Sequence, residues 1–325
     1  MAGGILVVSE HLRLELADIT FEMLGAGKKV ADALGAPLYS VTIGENIAPL
    51  ALSLGIADTV CVIDRPHLSM PSPDTIASLL KGFIEQKGIS LTMIGGTNLS
   101  MGIGPLLSMK CQLPFINFCT ALRVEEGTIV FTSQLFGGKI LTDICLSDNR
   151  GIVSLYPGAF PPEGGRSERT AAHESVDIPV EESKIAFKRF IEPEAGDVDI
   201  ARQDVLIAIG RGIQNQDNVK LAEELAEILG GVVCGSRPVI DQGWLPLSRQ
   251  VGKSGKIVKP RLYLALGVSG APEHIEGMQN SELIIPINTD PGAPIFGLAH
   301  FGVNEDIFDI VPPLIEAVKA RKGDR

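Results

Sequence analysis

The sequence has no block of Lys and Arg, and 28 basic against 39 acidic residues leave it with a net charge of −11. Such a chain is poorly matched to a nucleic-acid backbone or an anionic lipid surface, although one basic pocket for a single phosphate is still compatible with it. Cysteine is scarce and scattered: Cys61, Cys111, Cys119, Cys145 and Cys234 include no C-x-x-C pair. That argues against an iron–sulfur cluster or zinc ribbon held by this chain alone and predicts small, buried, reduced thiols. Five histidines, none paired at i, i+4, leave a metal site unsupported. There is no G-x-S-x-G elbow for a serine nucleophile. There is no P-loop either, because Gly252–Lys256 has the residues but not the spacing. The start, MAGGILVVSEHLRLE, lacks the basic segment of a secretory leader. The longest uncharged stretch, between Lys87 and Lys110, holds five glycines and a proline and reads as strand, loop and helix start rather than a membrane helix. The expectation is a soluble, cytoplasmic protein that is not integral to a membrane.

What is present is ordinary globular composition, 45% apolar and 21% charged. At about 150 residues per domain, the length predicts two domains. GILVVSE, PLYSVTIG, DTVCVID and SLTMIGG are apolar runs typical of buried parallel strands. Between them, helical spacing marks Ala17–Leu34, closed by Gly35, then Ala48–Leu54, then Ser72–Gln86 with its Pro-Asp start. That alternation is the pattern of a parallel α/β sheet. Residues 111–155 are richer in strands (FINFCTALRV, TIVFTSQLF, KILTDICL, GIVSLYP) and predict an antiparallel or mixed extension. After the Pro/Gly-rich YPGAFPPEGGRSE, a charged stretch with the turn signal EPEAGD places a linker at 191–204, between domains at 1–190 and 205–325. The second domain begins again with DVLIAIGRG, a helix over Asn218–Leu229, the strands GVVCGSR, RLYLALGVSG and ELIIPINTD, and a final helix in FDIVPPLIEAVKAR.

A dinucleotide fingerprint is incomplete: Gly210-Arg211-Gly212 follows a strand, but Asn215 stands where the third glycine belongs. Gly25-Ala26-Gly27 lies within a helix. What remains is a set of glycine-rich strand ends in the second domain: GRG, GSR, VGKSGK, GVSGAPEH, INTDPGAPIF and GVNEDIF. Each alone reads as a turn. Together they bring hydroxyls and the cations Arg211, Arg237, Lys253 and Lys256 to the edge where open parallel sheets bind ligands, which is the chemistry of a phosphate-bearing, nucleotide-like ligand.

From Gly210 onward the chain resembles the α subunit of electron transfer flavoprotein, through GRG, GSRPVIDQGWLP, QVGKSGKIVKPRLYLALGVSGAPEHIEGM, INTDPGAPIF and FGVNEDIFDIVPPL. The first half is similar more loosely, through VVSEH, GGK at 137–139 and PGAF at 157–160. The resemblance implies a Rossmann-like C-terminal domain holding one non-covalent FAD. It also implies a heterodimer with a β subunit that carries AMP or, in bifurcating members, a second FAD. Position by position, Arg237 matches an arginine over the isoalloxazine ring, where a fixed cation favours anionic reduced flavin. Ser236 would bond the cofactor, Ser254 matches a hydroxyl reaching flavin N5, and His274 matches a histidine near the C2 carbonyl. Ser269, Gly270 and Ala271 would face the ribityl–diphosphate part, Arg211 the diphosphate, and Asn288 and Asp306 the ADP part. Val251, Gly252, Pro272, Glu273 and Ile307 flank these positions and complete the implied site. Bland alternatives stand beside the roles: a surface ion pair for Arg237, a turn serine for Ser254, an Asx-turn at Asn288-Thr289-Asp290 and an exposed helix acid for Asp306.

Departures from the family pattern bear on the flavin potential. Lys253 stands where glutamine is usual, Pro272-Glu273 replaces Ile-Gln, Asn304-Glu305 makes the last loop more polar, and Met101-Gly102 stands where Arg-Asp is common. The leading expectation is an electron carrier accepting from flavin dehydrogenases of acyl-CoA type and donating to a membrane quinone reductase or similar acceptor. A bifurcating, NADH-oxidising assembly is the second reading. An NAD-dependent dehydrogenase, disfavoured by the broken fingerprint, and a nucleotide-sensing α/β domain are the others.

Overall fold

In the computed structural model the apolar run Gly4–Val8 is a strand, β1, with all five residues buried. The structure describes residues 3–136, 138–180, 183–190 and 198–323; Gly137 of GGK and the EPEAGD turn lie outside the described residues. The chain divides into two units, Met1–Arg189 and Phe190–Arg325.

The first unit runs β1, α1 (Asp18–Leu34), β2 (Leu38–Gly44), α2 (Ala48–Ala51), β3 (Thr59–Asp64), α3 (Pro73–Lys87), β4 (Ile89–Gly95) and α4 (Ile103–Cys111). It continues with β5 (Phe115–Glu125), β6 (Thr128–Leu135), β7 (Ile140–Cys145), β8 (Gly151–Leu155) and β9 (His173–Ser175). The strands form one sheet in the order β9-β3-β2-β1-β4-β8-β5-β6-β7. It is parallel from β9 to β5 and antiparallel from β5 to β7, so the strand-rich extension is antiparallel. Helices cover both faces, which is why β1 needs no polar alternation. Ile5 and Val7 pack with Met23, Leu24 and Val30 of α1, while Leu6 and Val8 pack with Leu80, Phe83 and Leu107 of α3 and α4. Each such fully buried aliphatic side chain contributes roughly 1.5–3 kcal/mol.

The expected punctuation is present. Gly35 closes α1 in the left-handed conformation, and Ser72 caps α3 by accepting from the Thr75 N–H. α2 stops at Ala51, short of the expected Leu54. Residues 52–54 continue it only as tighter i→i−3 turns, the Leu54 N–H donating to the Ala51 carbonyl, and beyond them the Arg169 guanidinium takes the carbonyls of Gly55 and Ala57. Glu22, buried on α1, accepts the Gly158 N–H at 2.8 Å and so ties the PGAF loop to the first helix.

The second unit holds β10 (Val205–Ile209), α5 (Val219–Leu229), β11 (Val232–Gly235), α6 (Arg237–Asp241), β12 (Leu262–Leu266), α7 (Pro272–Glu276), β13 (Ile284–Ile287) and α8 (Ile307–Gly323). Its sheet is parallel throughout, in the order β11-β10-β12-β13. Ile207 and Ile209 pack under α5 and α8, and Leu206 and Ala208 face Tyr263, Val251 and Met278. The order reverses between β10 and β12, so the loops after these strands diverge and leave a crevice at the strands' carboxyl edge.

All five cysteines are free. Cys61, Cys119 and Cys234 are buried as expected, but Cys145 is exposed and Cys111 half-buried. The reason is position: Cys145 ends the outermost strand of the antiparallel extension, and Cys111 ends α4. Burial pushes the thiols of Cys61, Cys119 and Cys234 up to about 12, which suppresses the reactive thiolate. In thiol-reagent labelling of the folded chain at neutral pH, Cys145 reacts first and these three react on the timescale of unfolding. Rapid labelling of any of the three before Cys145 contradicts this packing.

Candidate functional site

Two loops cross at the carboxyl edge of β10 and β12. The Gly210 N–H donates to the Leu266 carbonyl at 2.9 Å and the Gly212 N–H to the Gly267 carbonyl at 3.1 Å. A Cβ on Gly210 would lie 2.2 Å from the Gly267 oxygen, and one on Gly267, whose φ is +62°, would lie 2.5 Å from the Gly212 Cα. Backbones this close require glycine. The missing third glycine is explained here. α5 begins only at Val219, after two short turns, and Asn215 accepts from the Asn218 N–H as a cap. The tight strand-to-helix turn that the fingerprint encodes is absent.

The crevice is a cavity of about 900 Å³. Of the sequence-derived candidates, Arg211, Ser236, Arg237, Val251, Gly252, Lys253, Ser254, Ser269, Gly270, Ala271, Glu273, His274 and Asn288 line it. Pro272, Asp306 and Ile307 do not. Pro272 opens α7. Asp306 accepts the Phe308 N–H at its carboxylate and the Asp309 and Ile310 N–H groups at its carbonyl, which makes it a helix-start residue. Ile307 is buried against Val311 and Ile315. The expected Asx-turn is real: Asn288 accepts from the Asp290 N–H at 3.0 Å and donates to the Val268 carbonyl at 2.9 Å. Gln250, Asp241 and Asp290 also line the cavity and were not among the candidates.

Several side chains are poised toward a ligand rather than toward the fold. Ser236 is buried at the start of α6 but makes no side-chain cap bond. Ser254 accepts from the Gln250 amide at 2.8 Å, which leaves its own proton to donate. Arg237 forms an exposed ion pair with Asp241 at 3.5 Å, of a kind that contributes little to stability. Lys253 lies 3.5 Å from Glu276, a buried carboxylate.

His274 is buried, and its Nε2 lies 2.9 Å from the Tyr263 hydroxyl. Burial holds the Tyr263 phenol protonated, and its hydroxyl also bonds the Cys234 thiol, so the direction of the Tyr263–His274 bond follows the ring tautomer. Nδ1 is buried and makes no well-formed hydrogen bond. Burial pushes the His274 pKa down to about 4, against a weaker upward pull from the Val251 backbone. The ring is therefore neutral at pH 7.

Residues 5–181 match the family described as electron transfer flavoprotein domain, and residues 199–279 match the one described as electron transfer flavoprotein FAD-binding domain. The chain is 31% identical to the electron transfer flavoprotein subunit alpha of Bacillus subtilis, covering 98% of both chains. It is 34% identical to that of Thermoanaerobacterium thermosaccharolyticum, again covering 98% of both. It is 33% identical to the lactate dehydrogenase (NAD(+),ferredoxin) subunit LctC of Acetobacterium woodii, over 99% of this chain and 78% of that one.

The chain belongs to the electron transfer flavoprotein α-subunit family. FAD is the cofactor of this α subunit's C-terminal domain. The cavity fits it, with room for a dinucleotide, cations at Arg211, Arg237 and Lys253, serine hydroxyls and the unpartnered Nδ1 of His274.

The depressed pKa of His274 has a stability consequence. Unfolding returns the ring to its ordinary value near 6.5, so the unfolded chain binds the extra proton. The contribution is complete above pH 6.5 and is lost as pH falls through about 4. Between pH 7 and 4 the wild-type unit loses about 3 kcal/mol more than a His274→Gln variant. Denaturant titrations followed by Trp244, the single tryptophan, measure this. Identical pH profiles for the two proteins would contradict the assignment.

Proposed function

We propose that this α subunit, paired with a β subunit, is an electron carrier without a small-molecule substrate of its own. Its electrons come from flavin dehydrogenases, with the acyl-CoA type as the leading donor, and pass to a quinone reductase or similar acceptor. The observation that carries the reading is the cleft of the FAD-binding domain, where cations and hydroxyl donors converge. Among the described residues no helix is long and apolar enough to cross a membrane. A cytoplasmic location is part of the proposal.

FAD supplies one- and two-electron storage when bound. The chain's own residues set the charge and hydrogen bonds around it. Arg237 and Lys253 bring positive charge to the cleft, where it favours an added electron. The Ser254 hydroxyl, held as a donor by Gln250, is assigned to ring N5. The neutral His274, held in place through Nε2 by Tyr263, is assigned to the C2 carbonyl through its unpartnered Nδ1. Ser236 is assigned a cofactor bond; Arg211 and the Ser269–Ala271 loop are assigned to the diphosphate side. Asn288 serves by holding its loop in place.

Lys253 is paired with the buried Glu276, so its removal exposes the flavin to an uncompensated carboxylate. Lys253→Gln lowers the flavin's reduction potentials by an amount on the order of tens of millivolts, read by spectroelectrochemical titration. Unchanged potentials would remove Lys253 from the tuning of the flavin.

The second reading, an NADH-oxidising bifurcating assembly, is favoured by one observation: the similarity to a relative whose name includes NAD(+) and ferredoxin. Co-production with the β subunit separates the two. One FAD per heterodimer, reduced by an acyl-CoA dehydrogenase with its substrate and not by NADH, supports the carrier. Two FAD reduced by NADH establish the second reading, and a colourless heterodimer defeats both.

A further inference from the structure

The first unit has its own crevice, distinct from the FAD cleft. Its strands run β3-β2-β1-β4 across the sheet, so the order reverses between β1 and β4. The carboxyl edge at such a reversal is where open parallel sheets bind ligands. A cavity of about 360 Å³ lies there, walled by the residues after β1 (Ser9, Glu10, His11) and after β4 (Asn98, Leu99, Ser100). The VVSEH motif thus supplies one wall, a role that the FAD cleft leaves unexplained.

The polar groups of this crevice are built in. The Glu10 backbone is pinned from both sides: its N–H donates to Thr20 Oγ1 at 2.8 Å, and its carbonyl accepts from the same hydroxyl at 2.9 Å and from the Ala17 N–H. The Glu10 side chain is buried, and Thr97 and Ser100 both donate to its Oε2, each at 2.5 Å. Both hydroxyls take the same oxygen, so Oε1 is left as an acceptor. His11 is the second group. Its Nε2 lies 3.0 Å from the Ile43 carbonyl and must donate there. In the neutral ring Nδ1 is then an acceptor, and it is buried without a partner. Two adjacent residues thus offer two acceptors, of which the buried Nδ1 of His11 lacks a donor. A buried acceptor left unpaired is costly, so the arrangement points to a ligand that donates to Nδ1 and can donate to the neighbouring Oε1 as well.

The rest of the wall narrows the chemistry. Ile43, Ile76, Ile103 and Phe187 give it an apolar side suited to a planar ring. Among the described residues no Lys or Arg lines it. A phosphate would meet a carboxylate and no cation. We propose that this crevice is a second ligand site, taking a phosphate-free nucleoside whose ribose cis-diol donates to Glu10 and His11 while its base lies on the apolar side. Acidic side chains that accept from ribose hydroxyls at the edge of parallel sheets are the physical precedent.

The test uses the FAD-loaded protein with its β subunit bound, and hydrogen–deuterium exchange read on peptides of this chain. That readout localises binding whatever the β subunit does. Adenosine slows exchange in residues 9–11 and 97–103. 2′,3′-Dideoxyadenosine, which lacks the diol, does not, and AMP protects more weakly than adenosine. Glu10→Gln, of the same shape, weakens adenosine protection at least about tenfold while the visible FAD spectrum stays unchanged. Three results would overturn the proposal: no protection of these peptides by saturating adenosine, equal protection by the dideoxy compound, or an unaltered response in Glu10→Gln.

Discussion

The contact of two bare backbones, Gly210–Gly212 against Gly267, is the constraint on which the second unit's chemistry depends. The loop after β10 and the loop after β12 hydrogen-bond across a gap with no room for a side chain. The crossing residues line the cleft themselves, together with Arg211 and the Ser269–Ala271 turn. Gly270, with φ of +81°, extends the same economy of space by passing against Ile295. Cations and hydroxyls elsewhere on the rim would have nothing to converge on if the two loops were held a side chain's width apart.

Both units solve the same geometric problem. A parallel sheet whose strand order reverses leaves its carboxyl edge open at one place, and each unit puts a cavity there. The difference lies in charge. The second unit sets three cations among three carboxylates at its edge, and the first sets a carboxylate and an imidazole there with no cation among the described residues. The fold therefore offers a location, and the loop residues decide what chemistry can occupy it.

Much of this was legible in the sequence for a physical reason. Strands buried on both faces are continuous apolar runs, and GILVV and VLIAI announce themselves as such. Gly35 and Gly230 mark helix ends because few residues tolerate the left-handed conformation there, and Ser72–Pro73 marks a helix start because the serine caps Thr75 and proline lacks only an N–H the first turn does not use. Most candidate residues of the cleft share one wall because glycine-rich strand ends of one parallel sheet must meet at one edge. What was not legible depends on contacts far apart in sequence. The segment after α2 is held at Gly55 and Ala57 by Arg169, more than a hundred positions away. Asp306 and Ile307 carry the family's motif, yet their local roles are a helix start and a core contact. Gln250 had a signal, sitting just before Val251 in QVGKSGK, but only its amide's reach to Ser254 reveals its part. Cys145 looked like any other scarce thiol until the sheet order placed it on the outermost strand.

That outermost strand has a further consequence. β7 ends the sheet with one row of backbone groups unpaired by any described strand, and Leu135, Phe136, Ile140 and Leu141 are exposed along the same hairpin. An apolar sheet edge is a template for self-association. The cost falls on biosynthesis: a cell that translates this chain faster than that edge is covered accumulates aggregate.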